Sequence, residues 1–223
     1  MTALANRVCK WFRIFVVGIF LTVAISCRTA NQVGSKGTVS VNPYDSLLTD
    51  RDGNRYPIRI FADKNLWMTS NLKLNTPNSY CYDSIPKNCD EYGRLYTWES
   101  GGKGCNSLGK GWRLPGKADW QELSKAYAET KDDSIKIRKE AYQALLTTGS
   151  SGFNALLGGG RGLDGQFARL DAHGFYWMST ETDSLAAGFT NFAKGSQALY
   201  LQNDGEKSRA FSVRCVKSID GSK

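Results

Sequence analysis

The 223-residue sequence holds a single histidine, His173, and that scarcity removes several chemistries at once. A Ser-His-Asp relay needs a general base beside its nucleophile, and Asp171, two residues away on a flexible turn, is a poor orienter, so His173 reads as a loop histidine. The same lack of a second ligand argues against zinc. No block of like charge occurs; signs alternate along the chain, which describes a solvated surface and not a nucleic-acid stripe. No internal repeat and no low-complexity tract is found. The longest apolar run, IFVVGIFLTVAIS, is too short to span a bilayer comfortably.

What that run offers is a leader. Arg7, Lys10 and Arg13 precede it, and the plan is that of a secretory signal peptide over residues 1–26. Cleavage after Ser26 leaves Cys27 as the first mature residue, in a setting that resembles the lipobox of bacterial lipoproteins, with Ala24 where leucine is usual. Cysteine arithmetic points the same way. The exported chain holds Cys27, Cys81, Cys89, Cys105 and Cys215, and an odd thiol is a liability in an oxidising compartment. Acylating Cys27 leaves four, and several acyl chains on one residue anchor a protein stably. Without the leader the balance is 26 basic against 21 acidic side chains, a weak bias toward anionic partners.

Residues 27–43 are polar, poor in bulky apolar groups and read as a flexible tether. A domain follows over 44–218, with a short tail at 219–223. TDRDGNRY, residues 49–56, starts like a calcium loop with Asp50, Asp52 and Asn54 at alternate positions. A helix-loop-helix calcium site needs glycine at its sixth position and a bidentate glutamate at its twelfth, and Arg55 and Phe61 stand there. The alternative is a hairpin whose two-residue turn is Asp52-Gly53. Tyr56, Ile58 and Ile60 then share one strand face, and Pro57, which lacks a donor, places that strand at an edge or at its beginning.

Helical spacing is confined to the middle of the chain: Trp120, Leu123 and Tyr127 in one segment, and Ile137, Ala141, Tyr142, Leu145 and Leu146 in the next. Beyond Gly149 short β patterns return in FNALL, GFYWMST, QALYLQ and RAFSVRCVK, the last two around a turn at Asn203-Asp204-Gly205. Phe211, Val213 and Cys215 share an inward face. Strands, then two amphipathic helices, then strands describe an α+β domain. GRGLDG, Gly160 to Gly165, matches a dinucleotide-binding G-x-G-x-x-G in letters only, since no helical stripe follows and no βαβ unit surrounds it. Trp67, Trp98, Trp112, Trp120 and Trp177 are candidates for a sugar-stacking platform. Their helix-stripe or strand-like settings assign most of them to the core.

Taken in order, TDRDGNRY, LWMTSNLK, YGRLYTW, CNSLGKGWRLP with DWQEL, GFNALLGGGR, YWMSTE and FSVRCVK resemble the signature series of the Fibrobacter succinogenes major paralogous domain family over about residues 45–217. The closing motifs are similar to those of the formylglycine-generating sulfatase-modifying domain. The resemblance implies a C-type-lectin-like fold, antiparallel sheets stapled by disulfides, with the N- and C-terminal strands paired. Four cysteines allow three pairings. Cys81 and Cys89 bracket the short loop YDSIPKN, while Cys105 precedes the first helix and Cys215 lies in the last strand. Lectin-like folds join the first helix region to the final strand, which implies Cys105 with Cys215 and Cys81 with Cys89.

The resemblance also implies that ligand contacts fall in the long segment 158–209, with Arg161, Asp164, Arg169, Tyr200, Gln202, Asn203, Asp204 and Arg209 as candidates. Lectin calcium motifs of the EPN or QPD type, and WND, are absent, and no metal or cofactor is expected. An oxidase of the sulfatase-modifying type requires a reactive cysteine pair, which two structural bridges would consume. The sequence is therefore read as a lipid-anchored protein of the cell envelope, at the outer membrane or cell surface, with a non-catalytic domain for a glycan or an envelope protein. The oxidase and a purely structural envelope component are the alternatives.

Overall fold

A computed structural model of the chain describes residues 46–129 and 132–219. The leader, Cys27, the tether and the tail beyond Ile219 lie outside the described residues. The first strands, β1 (Ser46–Thr49), β2 (Arg55–Ile60) and β3 (Asn65–Met68), form an antiparallel sheet that the last strand, β11 (Val216–Ser218), joins beside β3. The last strand thus joins the N-terminal sheet, but beside its third strand and not its first, which lies at the opposite edge. A two-stranded ladder of β4 (Ser79–Tyr80) and β5 (Leu95–Tyr96) brackets the short helix α1 (Pro86–Tyr92). Three further helices follow: α2 (Trp98–Asn106), α3 (Lys117–Ala126) and α4 (Ser134–Leu145). The second large sheet takes β6 (Gly158–Arg161), β7 (Phe167–Leu170), β8 (His173–Glu181), β9 (Ala186–Ala193) and β10 (Ala198–Glu206) in the order β10-β9-β8-β6-β7. All its pairings are antiparallel except β6 with β8. The fold is α+β.

Asp50 explains the opening loop. Its carboxylate accepts from the backbone N–H of Asp52 and Asn54, from the Asn54 amide and from the Tyr56 hydroxyl at 2.5–2.9 Å. A carboxylate saturated by protein donors closes a loop and has little left for a cation. Thr49 pairs with Arg55, so the connection is five residues long, not the expected two-residue turn; Asp50 organises it and Gly53 supplies the positive φ of 84°. Pro57 is third in β2, and β2 lies between β1 and β3, neither at an edge nor at its start. Thr69 N–H donates to the Pro57 carbonyl just beyond the last β2–β3 pair, so the missing proline donor falls where that ladder ends.

Among the described residues four α-helices stand where two were expected. In α2, WESGGKGCN carries three glycines, each costing about 1 kcal/mol of helix propensity. Close packing is the reason for them: a Cβ on Gly101 would meet Val213 Cγ2 at 2.8 Å, and one on Gly104 would meet Leu72 Cδ2 at 2.8 Å. Trp98, expected in a strand, is the first residue of α2, and Cys105 sits inside α2 rather than before the first helix. The start of α3 is fixed by Asp119, which accepts from Gly116 N–H at 2.6 Å and takes both Arg113 guanidinium nitrogens at 2.6 and 2.9 Å. That fork links the GWRLP turn to the DWQEL helix. FNALL forms no strand; only Ala155 makes an isolated bridge, to Leu146.

Two cores result. Tyr56, Met68, Leu72, Tyr96, Trp112, Trp177 and Phe211 belong to one, and Trp67, Trp120, Phe153, Tyr176, Met178 and Phe192 to the other. At about 2–3 kcal/mol for each fully buried large apolar side chain, these rings dominate the stability. The closing segment passes between them. Phe211, Val213 and Cys215 enter the first core, whereas Val216 enters the second and Ser212 and Arg214, on the other parity, are also buried.

Both expected disulfides form: Cys81–Cys89, with S–S 2.07 Å, and Cys105–Cys215, with S–S 2.06 Å. The second ties α2 to the closing segment. Arg214, 0% exposed, stacks 4.6 Å over the Phe153 ring and donates to Asn71 Oδ1 at 2.8 Å and to the carbonyls of Phe153 and Asn154. Burial pulls its guanidinium down to about 10.

Candidate functional site

Alternation along β8 sends Tyr176 and Met178 into the second core and sends His173, Phe175 and Trp177 to the opposite face. Cross-strand pairing continues that face through Asn191 and Phe189 on β9 to Tyr200 and Gln202 on β10. Between this face and the β6–β7 hairpin lies an open groove of about 600 Å³. Its floor is phenylalanine: the Phe175 and Phe211 centroids are 5.0 Å apart, Phe189 and Phe211 5.1 Å, and Phe175 and Phe189 5.9 Å. Gly160 keeps the floor open, because a Cβ there would stand 3.0 Å from the Phe211 ring.

The rim is polar and nearly balanced in charge. Arg161 lies 4.3 Å over the Tyr80 ring. Arg209 donates to Glu206 at 2.5 Å, which lowers the Glu206 carboxyl below its ordinary range and raises the guanidinium. Asp164 Oδ1 accepts from Gln166 N–H at 3.0 Å and closes the hairpin tip. Arg169 holds a positive φ of 70°, and Asp204 is exposed. Across the strands runs a hydrogen-bonded row: His173 Nδ1 meets Asn191 Oδ1 at 2.9 Å, and Asn191 Nδ2 donates to Gln202 Oε1 at 3.1 Å. His173 also stacks on Phe175, with centroids 5.3 Å apart and planes 14° apart.

Six of the eight candidates, Arg161, Asp164, Arg169, Gln202, Asp204 and Arg209, line this groove. Tyr200 borders an adjoining depression, and Asn203 lies outside the groove, its side-chain oxygen 3.5 Å from Lys117 Nζ. His173, Phe175, Phe189, Asn191, Glu206 and Phe211 also line it and were not expected there. Strand alternation from Tyr176 would have found Phe175 and His173. The histidine is the first residue of β8, not a loop residue. Asn203, Asp204 and Gly205 are not a turn either: they lie within β10, where the β9 register shifts between Gln202 and Gly205, and this bulge re-aims Asp204 and Glu206 toward the groove.

A family model described as the Fibrobacter succinogenes major domain matches residues 58–217. The chain belongs to this family. No curated protein and no solved structure matches it. The matched span of this Fibrobacter succinogenes major domain contains the whole groove, both bridges and the buried Arg214. GRGLDG within it is a β-hairpin, in which Gly162 N–H donates to Gln166 O at 2.8 Å. Without a helix N-terminus behind it, such a loop has no cradle for a pyrophosphate. Trp67, Trp112, Trp120 and Trp177 are buried and unavailable for stacking a ligand. Trp98 is half-buried, capped by Lys207 Nζ at 4.6 Å from its ring and donating to Met178 O at 2.7 Å.

Proposed function

We propose that the protein is lipid-anchored through Cys27 at the outer membrane or cell surface, and that its C-type-lectin-like domain binds a glycan in the β8–β10 groove without catalysis. The observation that carries this reading is the groove itself. The half-buried Phe175, backed by the buried Phe189 and Phe211, gives the groove an apolar patch that suits the C–H face of a pyranose, and amide, guanidinium and carboxylate groups around it suit hydroxyls that both donate and accept. The pairing of β11 with β3 supports the lectin-like reading, as does the bridge from α2 to the closing segment. Cys81, Cys89, Cys105 and Cys215 are all in disulfides, so the thiolate that an oxidase of the sulfatase-modifying type requires has no source among the described residues.

The test is retention of the full-length protein, in detergent, on a panel of insoluble polysaccharides and on a glycan array. Gln202→Ala, which removes amide hydrogens free for a ligand hydroxyl, should weaken retention about tenfold, the loss of one or two good hydrogen bonds, with the melting temperature little changed. Absence of retention on every polysaccharide, together with envelope proteins that co-purify, would replace this reading with a structural envelope component.

A further inference from the structure

The groove does not end at Gln202. Strand β10 is the edge of its sheet, and His173, Asn191 and Gln202, which wall the groove, also wall a second depression of about 490 Å³ that reaches Tyr200 and Arg138. Arg138 and Leu201 belong in turn to a third, a cleft of about 330 Å³ between α3, α4 and β10. Three depressions that share walls form one trough around the sheet edge. Each alone fits a small molecule, whereas joined they exceed the roughly 1,000 Å³ that small-molecule pockets reach, which favours a chain over a monomer.

Charge changes along this trough. In the groove three arginines meet three carboxylates, Asp164, Asp204 and Glu206. The middle depression and the far cleft have no carboxylate among their lining residues, and Lys117, Lys125 and Arg138 line them. The Arg138 guanidinium lies 5.6 Å over the Tyr200 ring, an arrangement that holds its planar donors at the exit of the groove. At the groove end, with Asn191 Nδ2 spent on Gln202 and Asn191 Oδ1 facing His173, the unused Gln202 amide hydrogens and His173 Nε2 remain for hydroxyls.

Resting on the glycan reading above, we propose that the ligand is a linear acidic polysaccharide. Hydroxyl-rich sugar units lie on the groove face, and the chain crosses the edge of β10 so that a uronate or sulfate group meets Arg138 and Lys117. The planar Arg138 fork matches a carboxylate or sulfate edge, and the Ile137, Leu199 and Leu201 side chains give that end of the chain an apolar bed.

The test uses the full-length protein in phosphatidylcholine nanodiscs, titrated with hexamers of galacturonate and alginate and with a chondroitin sulfate hexamer, each beside a neutral counterpart whose carboxylates are methyl-esterified and, for chondroitin sulfate, whose sulfates are also removed. At least one acidic member should bind tenfold or more tightly than its neutral partner, and the preference should disappear in about 0.5 M salt, where exposed charges are screened. Arg138→Ala combined with Lys117→Ala, both off the core, should abolish the preference while leaving the neutral counterpart's affinity unchanged. Equal binding of acidic and neutral members, or a preference that survives the double substitution, overturns the acidic-chain assignment and leaves the glycan groove standing. An anion preference found only with phosphatidylglycerol vesicles also overturns it, in favour of a lipid surface. No binding of any member, acidic or neutral, overturns the acidic-chain assignment, and removes the glycan reading as well only when the polysaccharide panel also shows no retention.

Discussion

The two disulfides close loops of very different size, and that difference fixes an order of stability losses. Cys105 and Cys215 are 110 residues apart, Cys81 and Cys89 only 8. In the chain-entropy account, tying the long loop restricts the unfolded chain by about 4.8 kcal/mol and the short one by about 2.6 kcal/mol. Packing widens the gap. Cys105 and Cys215 are both 0% exposed within the first core, so replacing them by alanine also leaves a void worth about 1 kcal/mol, while Cys81 is half-buried at the rim of its loop. The double variant Cys105→Ala/Cys215→Ala should therefore lose at least about 2 kcal/mol more than Cys81→Ala/Cys89→Ala. Urea unfolding of the oxidised proteins measures this, with the dependence on urea concentration compared between variants to detect a more expanded unfolded state. Should the long-loop variant not fold at all, graded dithiothreitol applied to the native wild type gives the same ranking: the rim bridge opens first, and the buried one only on unfolding. Equal losses in the two variants, or first reduction at Cys105–Cys215, would refute the view that this buried bridge is the main covalent restraint.

Asp50→Ala removes the acceptor of four donors and should cost about 2–4 kcal/mol in urea unfolding; because those donors saturate the carboxylate, millimolar calcium should not shift the wild-type melting temperature. Gly159→Ala should destabilise far more than Gly53→Ala. Both have positive φ, but a Cβ on Gly159 would sit 2.5 Å from Ala168 O while one on Gly53 meets open space, so the expected costs are about 3 kcal/mol or more against about 1 kcal/mol. Alkaline melting curves should show stability falling as pH rises above 10. Burial lifts the hydroxyls of Tyr56, Tyr96, Tyr127, Tyr142 and Tyr176 above their ordinary value of 10, so the folded state holds protons that the unfolded chain releases, at about 1.4 kcal/mol per pH unit for each proton retained. Thiol titration of the mature protein, unfolded without reduction, should find no free thiol in the domain; two or more would restore the oxidase alternative.

What the sequence disclosed, and what it hid, follow from how each element is stabilised. Helices α3 and α4 carry their own amphipathic stripe, so Trp120, Leu123, Ala141, Tyr142 and Leu145 were legible as a buried face. Helix α2 was invisible because its glycines, poor in local propensity, serve tertiary approach to Val213 and Leu72. Helix α1 is one short polar turn pair begun by Pro86 and carries no stripe at all. At the groove, the charged rim was legible only through the family resemblance, which implies ligand contacts in residues 158–209, and the floor was not legible at all. Phe175, Phe189 and Phe211 look like any core alternation until the β6–β7 hairpin leaves one end of that face uncovered.

The closing segment is the element on which both the cores and the groove depend. Within Ala210 to Val216 it exchanges backbone hydrogen bonds with Arg161 on β6, Tyr96 on β5, Phe175 and Trp177 on β8, and Arg113 before α3. Side chains of one parity fill the first core, and those of the other hold Asn71 and the second. Phe211 is the groove floor as well as a core residue, so the position of the floor is set by the same ladder that joins the sheets. The Arg214 guanidinium satisfies the carbonyls of Phe153 and Asn154, backbone of a loop that crosses buried space without a strand of its own. A hydrophobic residue there would leave those acceptors unpaired, at about 1–3 kcal/mol each. That need accounts for a buried cation with no carboxylate partner among the described residues, where a buried charge would otherwise be selected against. It also ties groove to core, since any shift of Arg214 must carry its neighbours Val213 and Cys215, and through them the disulfide and Phe211.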